Sequence, residues 1–225
     1  MKRQIDMNEI SDGKLYGSND MVKADCGNCE GCSACCRGMG SSIVLDPLDT
    51  YRLCKGLNMK FEELLAQKVE LNVVDVLILP NIKMAAENDR EKEKCGFLNN
   101  EGRCSIHPFR PGICRLFPLG RYYENGSFRY FLQVNECKKE NLAKVKVKKW
   151  IDTPDLKSYE KFVNDWHSFL LRLEDYVAAN QEEQKAVSMY ILQHFYVVPY
   201  DVEKSFYLQF RERLTKGYEE LGIEE

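Results

Sequence analysis

The run DCGNCEGCSACCRG, residues 25–38, constrains this chain more than anything else in it. It sets Cys26, Cys29, Cys32, Cys35 and Cys36 within eleven residues, half of the ten cysteines present. Thiols at that density are soft metal ligands rather than core side chains. A second set, Cys95, Cys104, Cys114 and Cys137, follows at wider, loop-like spacings. The fold is expected to bring the two sets together around metal.

The spacings narrow the chemistry without settling it. Cys26, Cys29, Cys32 and Cys36 spell C-x2-C-x2-C-x3-C, the ligand run of bacterial ferredoxins. Arg37 stands where a ferredoxin has proline, and no second such run exists. The radical-SAM spacing C-x3-C-x2-C fails because Met39 occupies its third position. Neighbouring side chains diverge in extended backbone, so Cys35 and Cys36 suit two sites or a polynuclear cluster. One structural zinc with spare thiols is the competing account. Iron–sulfur and zinc both stay open.

The second set lies in CGFLNNEGRCSIHPFRPGICRLFP, residues 95–118, where Pro108, Pro111 and Pro118 stiffen the backbone. Arg110 and Arg115 bring permanent positive charge close to Cys114, expected to stabilise thiolates at the bound centre. The plainer alternative gives these arginines ordinary salt bridges. His107 stands in Cys-Ser-Ile-His, but four cysteines nearby make it unnecessary as a ligand. His167 and His194 fall on expected helices and are read as surface or satisfied core residues. Cys54 beside Leu53 reads as a small buried hydrophobe. Cys26 completes the ferredoxin spacing, yet the other thiols can be arranged without it.

At 225 residues the chain can build a real core and does not need disulfides to fold. Its first residues hold no apolar run, so no signal peptide is expected. No stretch approaches the ~18 apolar residues of a membrane span. A cytoplasmic protein follows, in which clustered cysteines are metal or redox groups. Net charge is −3 with both signs mixed, which gives no reason to expect nucleic acid. The basic run over 138–149 reads as a solvated strand or loop.

The expected class is α+β: a small cysteine-rich metal-binding core with short β-hairpins, packed against a helical C-terminal portion. Residues 1–24 read as loosely ordered, 25–149 as the cysteine domain and 150–225 as helical. Asp46-Pro47 starts a helix that Gly56 closes. A short helix covers 61–69, residues 73–80 (VVDVLILP) form one strand, and 85–94 is charged and exposed. Hairpins are expected around residues 99–102 and around Asn125-Gly126. Thr153-Pro154 starts a long helix whose apolar residues, from Tyr159 to Val177, recur at spacings of three and four. Two further helices cover 182–195 and a face from Val202 to Leu221.

The pattern Cys29-x2-Cys32-x2-Cys35-Cys36, then Cys95-x-Phe97-Leu98, then Cys104-Ser105-Ile106-His107-x2-Arg110-Pro111-x2-Cys114-Arg115-x-Phe117-Pro118, resembles the CxxCxxCC family. That group is described as zinc- or iron-chelating domains. The resemblance spans residues 25–140 and implies eight metal ligands: Cys29, Cys32, Cys35, Cys36, Cys95, Cys104, Cys114 and Cys137. It leaves Cys26 and Cys54 outside. The family is also similar to flagellin lysine N-methylases, which implies an enzymatic alternative: lysine methylation of a protein substrate, with S-adenosylmethionine as methyl donor and Arg110 or Arg115 within substrate reach. No G-x-G-x-x-G turn supports a nucleotide fold. Three functions therefore stand side by side: a metal-cluster protein in redox or metal handling, a cluster-dependent methyltransferase, and a zinc-stabilised module for a protein partner.

Overall fold

The computed structural model describes residues 6–27, 29–85 and 93–224. The elements run α1 (Met7–Ile10), β1 (Met21–Asp25), α2 (Pro47–Leu57), α3 (Phe61–Gln67), β2 (Val69–Val74), β3 (Leu77–Ile82), β4 (Met84–Ala85) and β5 (Lys94–Cys95). Then come α4 (Gly112–Leu116), β6 (Leu119–Glu124), β7 (Ser127–Leu132), β8 (Ala143–Lys146), α5 (Val147–Ile151), α6 (Leu156–Ala179), α7 (Gln184–Ile191) and α8 (Phe206–Leu221). The class is α+β, as the sequence indicates. The strands form antiparallel pairs, β1 with β8, β2 with β3, β4 with β5 and β6 with β7. Among the described residues no helix is long and apolar enough to cross a membrane.

Two apolar cores organise these elements. The larger is aromatic. One face of α6 buries Tyr159, Phe162, Trp166, Phe169, Leu173 and Val177 against Phe195, Phe206 and Phe210. Most of its rings meet edge-on or tilted, as Phe162 and Phe210 do at 4.6 Å between centroids, the arrangement that ring quadrupoles favour. The smaller core holds Ile43, Leu45, Leu53, Leu64, Val69, Ile82, Cys95, Phe97 and Ile106. Helices α2 and α3 belong to both cores: Leu48 and Phe61 face the larger, Leu53 and Leu64 the smaller. Five residues apart, Leu48 and Leu53 point about 140° apart around α2, which lets that helix serve two cores.

Local signals place several elements as expected. Asp46 caps α2, accepting from the Asp49 N–H at 2.8 Å, with Pro47 in the first turn. Asn125 and Gly126 take positive φ between β6 and β7, the two-residue turn that matches strand twist.

Other expectations are corrected. Gly56 lies inside α2, and Asn58 in left-handed conformation closes it. Gly56 is there because the Phe109 ring packs on it: an added Cβ would stand 2.7 Å from that ring. Residues 73–80 are not one strand but the turn of the β2–β3 hairpin and its flanks, with Asp75 at φ +55°. Valines on either side of Asp75 disguise the turn. The loop over 99–102 is flanked by a single bridge, Leu98 with Cys104, rather than a full hairpin. The cap of α6 is Asp155, not Thr153. The helix expected over 182–195 is α7, continued by a π-helical turn, Leu192–Val197. The segment 1–24, read as loosely ordered, carries α1 and all of β1 but its last residue; Val22 and Ala24 alternate into the core while β1 pairs with β8. Most of the charged stretch 85–94 lies outside the described residues.

Candidate metal centre

The first cysteine segment is a chain of tight turns. Gly27, Gly31, Gly38 and Gly40 all take positive φ, and so does Cys29, at +57°. Every other positive-φ residue described is Gly, Asn or Asp. A Cβ-bearing residue in this region costs about 1–2 kcal/mol, so something must hold Cys29 there. Cys32 N–H closes a turn onto the Cys29 carbonyl at 3.1 Å, and Ala34–Cys36 forms one 3₁₀ turn.

The second segment is seated by α2. Cys95 lies in β5 against Met84, and Cys104 pairs with Leu98. Cys114 lies in α4, whose first N–H, from Gly112, donates to the buried Asp49 carboxylate at 2.7 Å. Phe109, one residue beyond the His107-Pro108 pair, packs on Gly56. Cys137 follows the β6–β7 hairpin in a loop.

Three contacts tie these segments together. Arg103 donates to the Cys29 carbonyl at 2.8 Å. Lys139 donates to the Glu30 carbonyl at 2.8 Å. The Gly38 N–H donates to the Glu93 carbonyl at 3.0 Å, beside the bridge between Arg37 and Lys94.

The thiols come to rest in two neighbourhoods. Cys26, Cys29, Cys32, Cys35 and Cys137 line a small open cleft together with Phe117, Lys138 and Lys139. Cys36, Cys104 and Cys114 pack against the smaller apolar core, which contains Cys95. The Cys26 and Cys29 sulfurs stand 3.5 Å apart. A tetrahedral ion with metal–sulfur bonds of about 2.3 Å sets its sulfurs about 3.8 Å apart, so this pair is close to chelating distance. Among the described residues no three Cys, His, Asp or Glu side chains stand in full coordinating geometry. The donor chemistry nevertheless fits a thiophilic metal, since the groups gathered are thiols with cationic side chains among them.

The electrostatics follow from burial and from those cations. Burial and the adjacent Cys26 push the Cys29 thiol up to about 12. Burial likewise raises Cys95, Cys104, Cys114 and Cys137. Cys35 is the exception: a hydrogen bond from the Cys36 thiol brings it down to about 7, with Arg110 contributing, while Cys36 is raised. Of the shifted thiols, Cys35 is the one closest to being a thiolate at neutral pH. Arg110 also favours the charged forms of Cys29 and Cys104.

Arg110 thus sits among the thiols, its Nη1 against the His107 ring at 2.8 Å from Nε2 and 3.0 Å from Nδ1. Arg115 is buried and donates instead to the carbonyls of Pro108 and Asp152, at 2.8 and 2.9 Å. Cys54 is half-buried in α2, packed against both cores, its thiol pushed up to about 11 by burial. His167 stacks on Tyr123 and His194 on Tyr190, each on a helix. Cys26, left open as a ligand in the sequence, lies at the site, and three residues there went unremarked as such: Arg103, Lys138 and Lys139. Each adjoins a cysteine of the pattern or lies within three residues of one, a signal that could have flagged them.

Residues 28–153, more than half of the chain, match the family model "CxxCxxCC: Putative zinc- or iron-chelating domain". The chain belongs to the CxxCxxCC family. The description names zinc or iron chelation, and the matched span contains the eight cysteines of the CxxCxxCC pattern, while Cys26 lies just upstream of it. No curated protein and no solved structure matches the chain.

Proposed function

We propose that this CxxCxxCC protein carries an iron–sulfur cluster or zinc on Cys29, Cys32, Cys35, Cys36, Cys95, Cys104, Cys114 and Cys137, and acts in redox chemistry or metal handling. The observation that carries this reading is the convergence of thiols from segments around residues 30, 100 and 137, with Arg110 among them. Four thiolates on a divalent ion leave a net charge of about −2, and Arg103, Arg110, Lys138 and Lys139 are the cations that offset it. A reducing compartment keeps such thiols free for metal.

The deciding experiment is metal and acid-labile sulfide content on protein purified without oxygen. Iron with matching sulfide assigns a cluster and redox work. Zinc without sulfide assigns a closed thiolate centre, inert in redox terms, whose work is to hold the fold and present it to a protein partner. Protein that carries neither, and takes up neither, sinks the proposal.

A further inference from the structure

We infer that the thiols form two separate metal centres, an outer one at the cleft and an inner one against the smaller core, and that Cys26 is a ligand of the outer one. This rests on the metal-binding reading above, but takes Cys26, from outside the matched family segment, as a ligand and moves Cys35 from ligand to link between the centres.

Two independent features divide the thiols in the same way. One is the open cleft, whose cysteines are Cys26, Cys29, Cys32, Cys35 and Cys137. The other is the smaller apolar core, against which Cys36, Cys104 and Cys114 pack and which includes Cys95. The two sets share no cysteine. Apart from Cys35, which both sets feel, charge interactions run the same way: Cys137 feels Cys26 and Cys32, whereas Cys114 feels Cys95 and Cys104.

The boundary passes between Cys35 and Cys36, and local geometry explains it. Both lie in the 3₁₀ turn Ala34–Cys36. With three residues per turn, successive side chains point about 120° apart. Cys35 therefore faces the cleft while Cys36 faces the core, and as neighbours at the boundary they link the two centres.

Cys26 is held where an outer ligand is needed. It directly follows β1, which is fixed by pairing with β8, and Gly27 then turns the chain with its N–H on the Asp25 carboxylate at 2.9 Å. The result is the 3.5 Å approach to the Cys29 sulfur. The outer centre takes Cys26, Cys29, Cys32 and Cys137; the inner takes Cys36, Cys95, Cys104 and Cys114. A divalent ion entering either set displaces four thiol protons to solvent and leaves a tetrathiolate of charge about −2. Lys138 and Lys139 stand at the outer set, while Arg103 and Arg110 act on both Cys104 and Cys29 and so lie between the two centres.

The test is anaerobic titration of the reduced full chain with Co²⁺, read by thiolate-to-cobalt charge-transfer absorption and by cobalt retained after desalting. About two ions per chain are expected. Cys26→Ser and Cys137→Ser should each keep one ion at wild-type affinity and bind the other about tenfold or more weakly. ¹¹³Cd NMR of the Cd²⁺-loaded protein should show two sets of thiolate resonances, with Cys26→Ser moving one set and leaving the other. Both variants sit at the open cleft, and thermal unfolding checks that they fold. A single ion per chain, or a loss of all cobalt in either folded variant, overturns the two-centre assignment while the metal reading stands. Wild-type behaviour of Cys26→Ser overturns its role as a ligand. No cobalt binding by the wild type overturns both this inference and the metal reading.

Discussion

The Arg103 guanidinium donates a 2.8 Å hydrogen bond to the carbonyl of Cys29, joining residues 74 apart in the chain. That carbonyl also accepts the Cys32 N–H, so one oxygen fixes the turn from both sides. Cys29 is the residue held in left-handed conformation. The Arg103 bond therefore does more than join two segments: it stabilises a backbone geometry that a cysteine does not adopt on its own. Arg103→Ala should cost about 1 kcal/mol in denaturant unfolding, a value discounted for the partial exposure of Arg103. Metal loss to a chelator should also speed up. An unchanged rate of loss would show that the turn is held without Arg103.

Cys114 and Cys54 lie on adjoining helices and should behave oppositely. Cys114→Ser removes a thiol facing Cys95 and Cys104. It should lower bound metal, and its melting temperature should already sit near that of chelator-treated wild type, because metal-binding energy is folding energy here. Cys54→Ser should keep full metal content and the wild-type response to chelator. Metal analysis and thermal unfolding with and without EDTA separate the two cases, and loss of metal in Cys54→Ser would contradict the ligand assignment.

Much of the fold is legible because its signals are local. The Asp46-Pro47 start, the Asn125-Gly126 turn and the apolar face of α6 each depend on residues within a few positions of one another. The errors came where a distant group decides. Gly56 reads as a helix end, but Phe109, 53 positions on, is what requires a glycine there. Val22 and Ala24 form too short an alternation to announce β1, which exists because β8 pairs with it. At the site, the cysteine spacing points to metal chelation but not to how the thiols divide. That division depends on which side of a single 3₁₀ turn each sulfur faces, and on Arg and Lys bonds to backbone carbonyls that leave no periodic trace.

Gly56 offers a test of how the second cysteine segment is seated. In Gly56→Ala the new Cβ lies within 2.7–2.8 Å of Phe109 ring atoms, so the ring and its 3₁₀ turn must shift. Alanine favours the helix by about 1 kcal/mol, while overpacking costs about 1–3 kcal/mol, so a small net destabilisation is expected. The informative readout is metal affinity, because that turn lies between Cys104 and Cys114. A competition titration with a chromophoric chelator should show weaker binding in the variant. Unchanged affinity with lowered stability would mean that the turn yields without moving the thiols.

The buried carboxylate of Asp49 links α2 to α4 and should make stability depend on pH. Asp49 is 3% exposed and accepts from the Gly112 N–H at 2.7 Å and the Asp46 N–H at 3.3 Å. Desolvation, then the charge of Asp46, pushes it up to about 8. Unfolded, it titrates near 3.9. Between these values the folded chain keeps a proton that the unfolded chain has released, so stability falls as pH rises from about 4 to about 8 and then levels off. Asn in place of Asp49 keeps an acceptor for Gly112 but turns an amide toward the Asp46 N–H. It should lose about 1 kcal/mol of capping while removing the pH term. Thiol ligands give metal binding an opposite slope, since they must lose protons to bind. The quantity to measure is therefore the stability difference between wild type and Asp49→Asn at matched metal saturation, in which that slope cancels. This difference should move in favour of the variant between pH 5 and pH 8, and parallel profiles would place the Asp49 proton outside the folding equilibrium.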